Sequence, residues 1–123
     1  MWHELGHTYL AAVFARQQPA ITRLAYLVQQ DPRTAHWAAM RGGWSNFFNE
    51  NVTQAVTNVL KLRAGFMTRG EAFEADEFYL YSGELAQLIE QQYPLQAPDK
   101  NFEAYFPALL RAFAAAHPRP APK

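Results

Sequence analysis

The sequence contains no cysteine. A disulfide framework and a thiolate metal site are therefore excluded, and any metal must be held by histidine and carboxylate. An excess of one charge is missing as well. Eleven basic and eleven acidic side chains cancel, and no Lys/Arg cluster interrupts the balance, so no nucleic-acid partner is expected. Long hydrophobic runs are also absent. The longest reach about half of the ~20 residues that a membrane-spanning helix needs, so no membrane partner is expected either. Only Met1 and Trp2 precede the first motif, which leaves no room for a signal peptide, and the compartment is not indicated. No stretch alternates with period two over a convincing length, which argues against a sheet.

What is present is apolar and helical in pattern. Half of the 123 residues are apolar and 15% are aromatic, enough for one packed domain. Trp2 to about Arg16 reads as a helix whose apolar residues surround the axis, so burial on several sides is expected. Pro19 suits the first turn of a second helix, through Ile21, Leu24, Leu27 and Val28 to about Gln30. Asp31-Pro32 reads as an N-cap with proline at N1, opening a short helix that ends at Arg41-Gly42-Gly43. Ser45 is the expected N-cap of a long helix to about Arg63, with Phe48, Val52, Ala55, Val56, Val59 and Leu60 as its apolar stripe.

Gly65 suits the C-terminal end of that helix. Thr68 and Glu71 have capping-box spacing and predict a helix toward Tyr81. Ser82 to Tyr93 is helical with Leu85, Leu88 and Ile89 on one face, and Gly83 leaves open whether one helix or two run through it. Pro94 to Pro98 reads as a loop, and Asp99 as the cap of the turn that leads into the last helix. Pro107 predicts either the start of that helix or a kink in it. The expectation is an all-α fold of about six helices over residues 1–117, with a disordered tail at 118–123.

The chemistry sits in His3-Glu4-Leu5-Gly6-His7. Two histidines four residues apart on a helix differ by about 40° of rotation, so both imidazoles leave one face, one turn apart. They can take two corners of a zinc tetrahedron. Glu4 beside them can reach a zinc-activated water as general base without being a ligand. Three fixed positions in five recur by accident in roughly one chain in a few hundred, so context must carry the reading. Here the three polar residues stand in an otherwise apolar helix, where a buried Glu between two His is costly without a strong partner. The alternative is an exposed N-terminal turn with solvated side chains.

A catalytic zinc needs a third protein ligand. The residues after His7, Thr8 to Val13, exclude a further histidine on the same helix at metzincin spacing. Glu50 and His36 are the candidates, with Glu71, Glu74 and Asp76 behind them. Glu50 faces opposite the apolar stripe of its helix, together with Asn46, Thr53, Gln54 and Thr57. That face either lines a polar cleft or is solvated. Electrophilic help could come from Tyr79, Tyr81, Tyr105 or His36. The acidic run Glu71, Glu74, Asp76, Glu77 reads as a wet helix face.

The Trp-His-Glu-Leu-Gly-His-Thr-Tyr opening, the segment Phe47-Phe48-Asn49-Glu50-Asn51-Val52 and the tyrosine-rich helical tail are similar to a bacterial family of zincin-like proteins with metallopeptidase character. Asn49-Glu50 resembles the start of the second metal helix of the gluzincins. The resemblance implies Zn2+ held by His3, His7 and Glu50, Glu4 as base, and a peptide or protein substrate. It departs from the pattern in two places. Gln54 stands where thermolysin-like gluzincins carry an Asp that supports a ligand, and no β-sheet precedes the metal helix. The chain is thus expected to be the C-terminal helical part of a longer catalytic domain. Apolar surface around Trp2, Leu5 and Tyr9 would then favour a homodimer, and a non-catalytic helical module acting in self-association is the competing reading.

Overall fold

The computed structural model describes residues 10–74, 79–92 and 102–118. It is all-helical: 83% of the described residues are helical and none is in a strand. Residues 10–16 form α1. The run predicted from Pro19 is helical from Gln18 to Gln30, but in three pieces: α2 (Gln18–Thr22), a 3-10 stretch (Arg23–Tyr26) and α3 (Leu27–Gln30). The remaining helices are α4 (Pro32–Met40), α5 (Trp44–Arg63), α6 (Arg69–Phe73), α7 (Ser82–Gln92) and α8 (Phe102–Ala116). Among the described residues no helix is long and apolar enough to cross a membrane.

Several boundaries follow from local hydrogen bonding. Asp31 caps α4, its Oδ1 accepting from the Arg33 amide at 2.9 Å with Pro32 in the first turn. The same carboxyl also accepts from the Arg33 guanidinium, and these bonds hold it below its ordinary pKa. At the other end of α5, Gly65 takes φ +84°; the Phe66 amide donates to Lys61 O at 2.8 Å and the Gly65 amide to Leu62 O. That is a Schellman ending, which needs a left-handed residue at this position.

Three expectations are corrected. The cap of α5 is Gly43, not Ser45. The Ser45 hydroxyl accepts instead from Gln18 Nε2 at 2.5 Å, and the buried Trp44 donates its indole N–H to Ile21 O at 2.8 Å. These tertiary bonds pull the helix start back by two residues. The helix from Thr68 has its capping box but stops at Phe73, far short of Tyr81. Gly83 explains the break, because α7 begins against the backbone of Phe73 and Glu74. Finally, α1 is buried on one side in its described part: Leu10, Val13 and Phe14 are buried, while Ala11, Ala12, Ala15 and Arg16 are exposed. The loop and cap expected at 94–99 and the tail beyond 118 lie outside the described residues. The proline question resolves as a helix already running when it reaches Pro107.

The core gathers around α5. Phe48, Val52, Ala55 and Val59 of the predicted stripe are buried, and α7 packs along α5 through Leu85, Ala86 and Ile89. Burying each large side chain contributes about 1.5–3 kcal/mol. An aromatic cluster joins the helices, with ring centroids 5.5 Å apart for Phe48–Phe113, 5.2 Å for Tyr81–Phe113 and 5.7 Å for Phe14–Phe106. His117 closes the end of α8. Its ring lies 4.5 Å from that of Phe113, and Nε2 meets Glu84 Oε2 at 2.6 Å.

Candidate functional site

The face of α5 opposite the apolar stripe is exposed at Asn46 and covered further along the helix. Thr53 is fully buried and Thr57 nearly so, while Asn49 and Glu50 are half-buried. The Thr53 hydroxyl is satisfied by the Asn49 carbonyl at 2.8 Å. Asn49 Oδ1 and Thr57 Oγ1 are buried with no hydrogen-bond partner. Leaving a buried polar atom unpaired costs about 1–3 kcal/mol, so this stripe is an expensive way to fill space.

Along its first half the stripe borders a groove of about 570 Å³. Asn46, Asn49 and Glu50 form one wall, and Ala11, Phe14 and Ala15 of α1 form the other. Gln18 and Arg41 complete it. The Gln18–Ser45 bond ties the two walls together near the start of α5. Arg41, the residue that ends α4, lies with its guanidinium carbon 5.3 Å from the centroid of the Tyr79 ring. At that distance over an aromatic face the contact is a cation–π interaction.

His3, Glu4 and His7 lie outside the described residues, as do Trp2, Leu5, Tyr9 and Asp76. Of the predicted metal ligands, Glu50 is therefore the one whose placement is described, and it stands in the groove. His36 is exposed on α4, its ring packed edge-on against Trp37 at 4.9 Å, and it does not line the groove. Glu71 is exposed and committed to the capping box. Its carboxylate accepts from the Thr68 amide and hydroxyl, both at 3.0 Å, and these bonds lower its pKa. Glu74 is exposed. Among the described residues no three His, Cys, Asp or Glu come together.

The tyrosines separate clearly. Tyr79 is half-buried under Arg41 and so adjoins the groove. Tyr81 does not. It is a core residue packed on Phe47 and Phe113, and its hydroxyl lies 2.7 Å from Thr34 Oγ1. Burial raises its pKa against the opposing Thr34 bond. Tyr105 sits on α8 and donates to Gln92 Oε1 at 2.9 Å; burial pushes its phenol up to about 12. Arg41 and Gln18 were not foreseen as groove residues. Arg41 precedes Gly42-Gly43 and reads only as a cation at a helix end. Gln18 has no sequence signal at all, since its role comes from a hydroxyl 27 residues away.

Comparison of the chain with known families, with curated proteins and with solved structures finds no match.

Proposed function

We propose that this chain carries a zinc-dependent amide-hydrolase site of the metallopeptidase type, with His3, His7 and Glu50 as ligands and Glu4 as general base. The observation that carries the reading is the polar wall of α5, Asn46, Asn49 and Glu50, set across a groove from Ala11, Phe14 and Ala15 of α1. At about 100° per residue, Ala11, Phe14 and Ala15 span an arc of about 100° on the groove side. Continued by sequence spacing alone, this register would carry His7 and Glu4 into the same arc and His3 to within about 20° of its edge, on the side of Glu50.

Two imidazoles and a carboxylate are the donor set of a catalytic zinc with one position open. Bound zinc supplies Lewis acidity toward a water and a scissile carbonyl. The role left to Glu4 is proton transfer. Its carboxylate takes a proton from the attacking water as the new C–O bond forms, and returns it to the departing nitrogen as the C–N bond breaks.

The test is metal content and hydrolysis on chelator-stripped, reloaded protein. Stoichiometric zinc is expected, lost in His7→Ala and in Glu50→Ala. Glu4→Gln should retain the metal and lose hydrolysis of a peptide library. Absence of zinc at micromolar free metal overturns the reading in favour of a non-catalytic helical module. Hydrolysis that survives in Glu4→Gln removes Glu4 as base.

A further inference from the structure

The groove holds one residue of each charge, Glu50 of α5 and Arg41 just before the start of that helix. Half-buried Arg63 meets Glu90 Oε2 at 2.9 Å. Arg41 is also half-buried, yet among the described residues it forms no ion pair with a carboxylate. Its described contact is the face of Tyr79. Stacking uses the flat face of a guanidinium and leaves the in-plane N–H fork available, and that fork matches a carboxylate with two parallel hydrogen bonds.

The wall also offers Asn46 and Asn49. Ala11, Ala15 and Phe14 face them with apolar surface.

We propose that Arg41 binds the free C-terminal carboxylate of a short peptide laid along this groove, so that the substrates are peptides cleaved near their C-terminus. Tyr79 is the positioning residue that holds the guanidinium flat. The inference rests on the hydrolase reading only in naming the ligand a substrate. Carboxylate binding itself does not require the metal.

The test separates the two. Full-length isotopically labelled protein is titrated with N-acetyl-leucyl-phenylalanine and, separately, with its C-terminal amide. Each titration is followed by amide chemical shifts, once with chelator and once zinc-loaded. The acid is expected to bind at least about tenfold more tightly than the amide in one or both states, with the largest shifts at Arg41, Asn46 and Asn49. Arg41→Gln should abolish the difference, Arg41→Lys should keep part of it, and the spectra away from the groove should be unchanged. Equal affinity for the two probes, a preference that persists in Arg41→Gln, or no shifts at the groove overturns the proposal. Failure to hold zinc, with the acid preference intact, would remove the hydrolase reading alone.

Discussion

Gly83→Ala sets local helix propensity against tertiary packing, and the two give opposite signs. Gly83 is the second residue of α7, with a backbone conformation open to any L-residue. Propensity alone makes the change favourable by up to about 1 kcal/mol, and a less flexible unfolded chain adds to the gain. A Cβ at this position would lie 2.5 Å from Phe73 O, 2.6 Å from Glu74 O and 2.9 Å from the Phe73 carbonyl carbon. All three are backbone atoms, so no rotamer relieves the overlap. Ordinary contact begins at 3.4 Å, so the start of α7 has to lift away from residues 73–74. Overpacking of this kind costs about 1–3 kcal/mol, and the net expectation is a loss of about 1–2 kcal/mol once the propensity gain is set against it.

An internal control exists. Gly70 is the second residue of α6, and a Cβ there would meet only Thr68 Oγ1 at 3.9 Å. Gly70→Ala should therefore be stabilising. Urea denaturation of both variants, followed by far-UV circular dichroism and by the fluorescence of buried Trp44, measures the pair. Because Tyr79 lies just ahead of α7, the Gly83 variant should also weaken binding in the Arg41 groove. A Gly83→Ala protein as stable as the wild type, or stabilised in parallel with Gly70→Ala, would refute close backbone approach as the reason α6 and α7 are separate.

Two further outcomes are expected. Asn51→Ala removes a fully buried amide that donates to Phe47 O and accepts from the Tyr81 amide, both at 2.8 Å. The orphaned Tyr81 N–H should cost about 1–3 kcal/mol and exchange rapidly in deuterium oxide; a change under about 0.5 kcal/mol with Tyr81 still protected rejects the assignment. Tyr105, with its phenol at about 12, is held protonated by the fold. Its raised value means that the stability it contributes is complete below the ordinary phenol range near pH 10 and is lost as pH rises toward 12. Absorbance titration at ~295 nm should show Tyr105 and Tyr81 ionising late among the six tyrosines, with one late component missing in Tyr105→Phe; a Tyr105 that ionises near 10 contradicts the burial argument.

The features legible in the sequence are those whose hydrogen bonds close within a few residues. Asp31-Pro32, the Thr68–Glu71 box and Gly65 each satisfy a helix end from nearby atoms, and each was readable in advance. Ser45 misled because its hydroxyl is taken by Gln18 across 27 residues. Tyr81 misled in the same way, because Thr34, 47 residues away, meets its hydroxyl in the core. The length of α6 was not readable, since Gly83 reveals its need for space only when another backbone arrives. At the site, periodicity showed that Glu50 opposes the apolar stripe. It could not decide between cleft and solvent, because that depends on what α1 and α2 place against α5.

That choice carries the functional argument. A helix in a small domain is stabilised most simply by apolar side chains on every covered face. Here the groove wall of α5 toward α1 holds Asn46, Asn49 and Glu50, and the same polar stripe continues through buried Thr53 and Thr57, with Asn49 Oδ1 and Thr57 Oγ1 left unpaired. Buried polar groups in folded proteins are satisfied in the great majority, and the exceptions call for a specific reason. Folding stability supplies none, since Val in place of Thr57 would fill nearly the same volume without the penalty. A site that must receive polar or charged groups does supply one. It accounts together for Asn49, the Glu50 carboxylate and the stacked Arg41 lining one groove.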